Sequence, residues 1–147
     1  MLIACENIDR LQCLEIQGRG LPRGVKWRLY EAARATSDKP LVMAAAEMLD
    51  RPPCHIGIVS GAAVPDHMPN GENDGPFGTV VLAETLTKIG HHVTIYTDPP
   101  AAEPVRVLLE RRSVDVPVEE VTLNDKNPQN KLAGSLDVAR AIERVGG

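Results

Sequence analysis

One stretch, Ile56 to Asp98, limits what this chain can fold into more than any other. It opens with an apolar run, Ile56–Val59, and passes through a loop rich in Gly, Pro and carboxylates from Ser60 to Asp74. Apolar residues at helical spacing follow, Val80, Val81, Leu82, Leu86 and Ile89, before Gly90 and a second apolar run, His91–Thr97. Strand, loop, helix, turn and strand in this order form a βαβ unit, which requires parallel strands and a right-handed crossover. The helix start is well marked. Asp74 suits the N-cap, and Pro76 falls in the first turn, where no intrahelical N–H is needed. Gly90 suits the C′ position, where the backbone turns left-handed.

Around this unit the chain reads as follows. Leu11, Cys13 and Leu14–Ile16 suggest a short extended segment, and the Gly/Pro/Arg cluster Gly18–Gly24 breaks regular structure. Val25–Ala35 and Pro40–Leu49 carry helical patterns, separated by a stop and restart at Ser37–Pro40. After Asp98, Pro99–Pro100 forbids further strand pairing. A helix is expected over Glu103–Arg112, with Val105, Leu108 and Leu109 inward, and a third strand over Val114–Val121 with its alternating valines. Asn124–Asn130 is loop-like, and Lys131–Gly147 fits either a short helix or, at Val138–Ile142, a strand. The expected class is α/β, a three-layer Rossmann-like parallel sheet with helices on both faces, in one domain over residues 1–147. Three strands are few for such a sheet, so the expectation includes truncation.

Composition closes off several functions. With one Phe, one Trp and 3% aromatics, the core must be aliphatic, and base-stacking platforms for single-stranded nucleic acid are excluded. A net charge of -4 gives no general attraction to phosphate backbones or anionic membranes. No apolar run is long enough to span a bilayer and no basic-then-apolar leader is seen, so the expected location is the cytoplasm. Cys5, Cys13 and Cys54 lack metal-ligand spacing and read as reduced thiols. Arg10, Arg19 and Arg23 are either surface charges or cations for a carboxylate.

The loop Ser60–Asp74 is the candidate for chemistry. Ligands of open parallel sheets bind at the carboxyl ends of the strands, and a loop of about fifteen residues exceeds the usual βα connection. The following helix start offers backbone N–H groups and partial positive charge, and Gly75 and Gly78 allow close approach. The glycines are too far downstream for a dinucleotide fingerprint, and no Gly-Lys-Ser/Thr makes a phosphate loop. Asp66, Glu72 and Asp74 would repel a bare phosphate, which favours an amine-bearing or metal-assisted ligand. Asp98 ends the second strand on the side of this loop and is a further candidate, while neighbouring Thr97 reads as a strand-end hydrogen-bonder. Each has a plainer reading: Asp74 as a helix cap, Glu72 as a solvated carboxylate, and His91 and His92 as structural or solvent-facing residues at the opposite end of the strand.

The string Ile56–Gly61, then Pro65, then Gly71-Glu72-Asn73-Asp74-Gly75-Pro76-Phe77-Gly78, then Gly90-His91-x-Val93 and Thr97-Asp98, resembles the D-glutamate cyclase C-terminal-like family. Glu6-Asn7-Ile8-Asp9-Arg10-Leu11, Arg19-Gly20, Leu29-Tyr30-Glu31-Ala32-Ala33-Arg34, Pro40-Leu41 and Ala44-Ala45 resemble it too. Two departures stand out. Asn73 takes the place of a usual Thr, and Ala141–Gly146 resembles a segment that lies mid-domain, so the chain reads as the N-terminal half of that domain. The resemblance implies dehydration of D-glutamate to 5-oxo-D-proline. That chemistry needs a base, an acid and donors for an oxyanion; from these needs we assign Glu72, Asp74 and Glu143 as candidate catalytic carboxylates, and Gly61, Gly75, Pro76, Gly78 and Asp98 as candidate substrate-binding residues. The oxyanion needs either fixed donors, with no cofactor, or a divalent ion, Mn²⁺ or Mg²⁺. The expected partner is a small amino acid, with no nucleic acid or membrane and with a homo-oligomer in view. Two other classes remain open: a non-catalytic small-molecule or nucleotide-binding module, and an inactive fragment that needs a partner chain to complete its sheet.

Overall fold

The computed structural model of the protein describes residues 1–15, 24–61, 63–64, 66–122, 129, 136, 139–140 and 143. The chain divides into two compact units, Met1–Arg51 and Pro52–Gly147.

The first unit is helical: α1 (Leu2–Gln12), α2 (Val25–Arg34) and α3 (Leu41–Leu49), with α1 packed on α3. The extended segment expected near Leu11–Cys13 is instead the end of α1, and Ile16 lies outside the described residues. Apolar periodicity could not reveal this helix. Its less exposed side carries Cys5, Glu6, Asp9 and Cys13, whereas Leu2, Ile3, Leu11 and neighbouring Leu14 are exposed.

That polar side has a structural purpose. Gly24 and Pro40, the N-cap residues of α2 and α3, supply no side-chain acceptor. Remote carboxylates take over. The buried Asp9 accepts from the N–H groups of Leu41 (2.7 Å) and Val42 (3.0 Å). Glu15 accepts from those of Gly24 (2.9 Å) and Lys26 (3.3 Å). A helix start leaves its first N–H groups without intrahelical partners, and an anion there also meets the positive end of the helix dipole.

The second unit contains β1 (His55–Ser60), α4 (Gly75–Lys88), β2 (His92–Thr97), α5 (Pro99–Arg112) and β3 (Val118–Glu120). The sheet is parallel with order β1-β2-β3; Ile56 pairs with Val93, Ser60 with Thr97 and Ile95 with Val118. The expected α/β class and parallel sheet flanked by helices are therefore present. α4 and α5 pack on each other and against the strands. Segment 123–147 is described only at isolated residues, and 129, 136, 139, 140 and 143 are helical. The strand alternative at Val138–Ile142 and the loop at Asn124–Asn130 fall largely outside the described residues. The core is aliphatic: Ile58, Val93 and Ile95 from the strands, Val80, Ala83 and Leu86 from α4, and Ala101, Ala102, Val105 and Leu109 from α5.

The local signals behave largely as their chemistry dictates. Asp74 is the N-cap of α4 and accepts from the Gly75 N–H (3.1 Å). At the other end, His91 N–H bonds Leu86 O, Gly90 N–H bonds Thr87 O, and Gly90 takes φ +100°. This is the Schellman arrangement that requires a left-handed residue. The buried stripe of α4 is Pro76, Thr79, Val80, Ala83 and Leu86, while Val81, Leu82 and Ile89 are exposed. α5 starts at Pro99 rather than Glu103, because two prolines preset the first helical turn and need no N–H there. The third strand spans only 118–120; Val116 is buried in the connection before it.

Glu84 joins the two helices. It accepts from Arg112 of α5 (2.5 Å) and from Lys88 one turn on (2.6 Å). These bonds, Arg112 first and Lys88 second, hold its carboxyl down from the ordinary value near 4.5 to about 2. A depressed carboxyl stabilises the fold above its unfolded pKa, and that contribution is lost as pH falls through the folded value. Acid titration followed by circular dichroism should therefore show a Glu84-dependent loss of stability between about pH 4.5 and 2. The loss should be absent in Glu84→Gln; an unchanged acid profile would refute the tie.

Candidate functional site

The carboxyl ends of β1 and β2 are closed by the loop that leaves Gly61. Within it Val64 and Met68 exchange both backbone hydrogen bonds (2.8 and 2.9 Å), and Gly71 N–H bonds Met68 O (3.0 Å). Val64, Met68 and Gly71 are thus tied into a compact turn. Its two glycine ends meet: a Cβ on Gly71 would lie 3.2 Å from Ala101 Cβ and 3.8 Å from Gly61 O. Gly71 has φ +80° and Gly61 φ +137°, so neither position welcomes a side chain. Gly61 in turn lies against the tip of β2, where an added Cβ would be 2.9 Å from Asp98 Oδ2 and 3.2 Å from Asp98 N.

An open cleft of about 480 Å³ lies along the chain after this turn, lined by Met68, Gly71, Glu72, Asn73 and Asp74. Glu72, Asn73 and Asp74 are exposed, so the carboxylates border the cleft with their charge in water. At its end the chain enters α4. Gly75 is half-buried and would bring a Cβ 3.8 Å from Ser60 Oγ; Pro76 is buried; Gly78 is exposed, with nothing within 4 Å of an added Cβ. The structure therefore brings Glu72, Asp74, Gly75 and Gly78 to one helix mouth, with Gly61 and Asp98 in the layer beneath Gly71. Asp98 is buried, directly follows β2 and is the N-cap residue of α5. Glu143 is helical and exposed and does not line this cleft.

Thr79, which has no role in the sequence reading, and Thr97, expected to hydrogen-bond at the strand end, also stand here. Thr79 Oγ1 donates to Ser60 Oγ (2.7 Å), tying the first turns of α4 to the tip of β1. Thr97 is buried beside Ser60 in the register. The only available signal was position, since Ser and Thr at strand ends are common. At the opposite end of the sheet, a space of about 250 Å³ is lined by His55, His91, His92, Asp115 and others. There the buried His91 accepts from the Cys54 N–H (3.2 Å), which fixes the entry to β1 beside that of β2. This agrees with a structural reading of His91. Among the described residues no group of three or more His, Cys, Asp or Glu is arranged to hold a metal ion, and no helix is long and apolar enough to cross a membrane.

No curated protein and no solved structure matches the chain. The sequence profile of a family described as D-glutamate cyclase-like, C-terminal, matches residues 16–147, which leaves only α1 and the few residues around it outside. With the α/β sheet, the acidic glycine-rich cleft and this match over most of its length, the chain belongs to the D-glutamate cyclase-like, C-terminal family.

Proposed function

We propose that this chain handles D-glutamate at the cleft between Gly71 and the start of α4, and that the reaction is its dehydration to 5-oxo-D-proline. The observation that carries the reading is the family match, which spans both carboxylates at the cleft, Glu72 and Asp74. In the reaction the amine nitrogen forms a bond to the γ-carboxyl carbon, a C–O bond breaks, and water leaves. The ammonium must first lose a proton, and the departing hydroxyl must gain one.

Glu72 and Asp74 are the acid–base pair in this reading. Asp74 Oδ1 accepts from the Gly75 N–H, so that bond holds the carboxylate at the helix mouth. The first N–H groups of α4 face the substrate's carboxylate or the developing oxyanion, as the dipole favours. Asp98 attracts the amino group. Glu143 is a third acidic candidate from another part of the chain. Alternatively, Glu72 and Asp74, as hard oxygen donors, would hold a divalent ion such as Mn²⁺ or Mg²⁺, which would supply polarisation of the γ-carboxyl.

The test is production of 5-oxo-D-proline by the purified chain from D-glutamate, with Mn²⁺ in one arm and EDTA in the other. Glu72→Gln and Asp74→Asn keep shape but remove proton transfer, and each should lower turnover by roughly a hundredfold or more. Product formed equally fast by both variants would remove these carboxylates from the mechanism. Absence of product in every arm of the unaltered chain would defeat the cyclase reading for this chain.

Gly78 supplies a separate check. Alanine there meets open space within a helix and should stabilise the sheet unit by about 0.5–1 kcal/mol in urea denaturation. If substrate approaches the α4 backbone at this point, the same change should raise KM. A stabilised variant with unchanged KM would place the ligand elsewhere.

A further inference from the structure

His55 is the first residue of β1 and His92 the first of β2, and the two are partners in the parallel register. Partners on neighbouring strands project from the same face of a sheet, with their backbones about 4.8 Å apart. One residue on, the pair Ile56 and Val93 turns to the opposite face, where Val93 is buried in the core. Both histidines are exposed, and their ring centroids stand 5.1 Å apart with the planes at 76°.

That separation suits two imidazoles that share one metal ion. A metal–nitrogen bond is about 2.0–2.1 Å, and the ring centroid lies roughly 1.1 Å further on, so two rings on one ion have centroids about 4.5 Å apart at a right angle and about 5.2 Å apart at a tetrahedral one. The terminal ring torsion of histidine is broad, so each exposed ring can aim a nitrogen at a common point while the strands stay fixed. Edge-to-face ring contact alone would also give this distance. The setting separates the two readings. Both rings line the space of about 250 Å³ at the amino end of the sheet, together with the exposed carboxylate Asp115 and with Thr87 from the last turn of α4. A helix C-terminus carries partial negative charge, and a carboxylate adds a full one, so the space attracts a cation. His91 is occupied otherwise, since its Nδ1 accepts from the Cys54 N–H.

We propose that His55 and His92 form a two-histidine chelating site for a borderline divalent transition-metal ion, of the class of Ni²⁺, Zn²⁺ and Cu²⁺. Imidazole nitrogen suits these ions, whereas Mg²⁺ and Mn²⁺ favour oxygen donors such as Glu72 and Asp74 at the other end of the sheet. Among the described residues no third side chain is placed to ligate, so water completes the shell. The ion clamps the first residue of β1 to the first residue of β2. This site is independent of the D-glutamate reading.

The experiment uses the untagged full chain and Ni²⁺, which binds imidazole and does not oxidise the free thiols of Cys5, Cys13 and Cys54. Calorimetric titration should show one Ni²⁺ per chain, with Mg²⁺ unable to compete. Saturating Ni²⁺ should raise the thermal midpoint by a few degrees, because the ion binds the folded chain alone. His55→Ala and His92→Ala should each weaken Ni²⁺ binding by about tenfold or more, the loss expected when two linked donors become one. His67→Ala, in the loop beyond Gly61, should change nothing. In the unaltered chain, NMR should show Ni²⁺ broadening the ring protons of His55 and His92 before those of His67, a result that needs no variant to fold. Absence of Ni²⁺ binding, a loss confined to one of the two histidines, an equal loss in His67→Ala, or broadening that begins at His67 would each overturn the proposal.

Discussion

Alanine at position 61 should cost the sheet unit roughly 2–4 kcal/mol of stability. Two independent penalties add. The backbone there has φ +137°, a conformation that side-chain-bearing residues rarely adopt, and the new Cβ would sit 2.9 Å from Asp98 Oδ2 and 3.2 Å from Asp98 N. The second contact is with backbone, so a rotamer change cannot relieve it. Either the turn from Gly61 to Gly71 lifts off the tip of β2 or β1 and β2 shift in register. Urea denaturation followed by far-UV circular dichroism measures the loss, with Gly78→Ala as a glycine replacement of opposite sign. A loss under about 0.5 kcal/mol, the range of ordinary surface changes, would mean that Gly61 does not pack on Asp98 as described.

The second large effect is expected at Asp9. Its carboxylate bonds two N–H groups at the start of α3 and is buried at 2% exposure, so Asp9→Ala leaves both donors without a partner in a poorly solvated place. The helical unit should lose about 2–3 kcal/mol, the upper range for a cap and for a hydrogen bond to a charged group. Asp9→Asn keeps one acceptor oxygen and should fall between. Trp27 is the only tryptophan and lies in α2 of the same unit, so its fluorescence during urea titration reports the change directly. A midpoint unmoved by Asp9→Ala would show that α3 begins without help from α1.

These two residues also mark what the sequence revealed and what it hid. The βαβ unit was legible because its punctuation is local: Asp74 caps, Pro76 and Gly90 flank, and each acts within a turn of its own position. The positions of Glu72 and Asp74 at the sheet's carboxyl end followed from strand direction alone. Asp9 was opaque because its partners are 32 and 33 residues away and its helix turns polar groups inward. Thr97 reads in the sequence as a strand-end hydrogen-bonder, but its buried Oγ1 has no hydrogen-bond partner among the described residues, which only packing at the tip of β2 could reveal. The third strand was overread. Alternating valines from 114 to 121 satisfy a period of two, but Ser113 reverses the chain at φ +55° and ladder pairing begins only at Val118.

The order β1-β2-β3 bears on how the sheet unit is made. Spatial order equals chain order, so among the described strands each docks beside the one synthesised just before it and none must be threaded between two already paired. Each pairing closes over one long crossover, 37 residues from Ile56 to Val93 and 23 from Ile95 to Val118, so a nascent chain leaving the ribosome orders one crossover at a time and builds this sheet progressively from one edge.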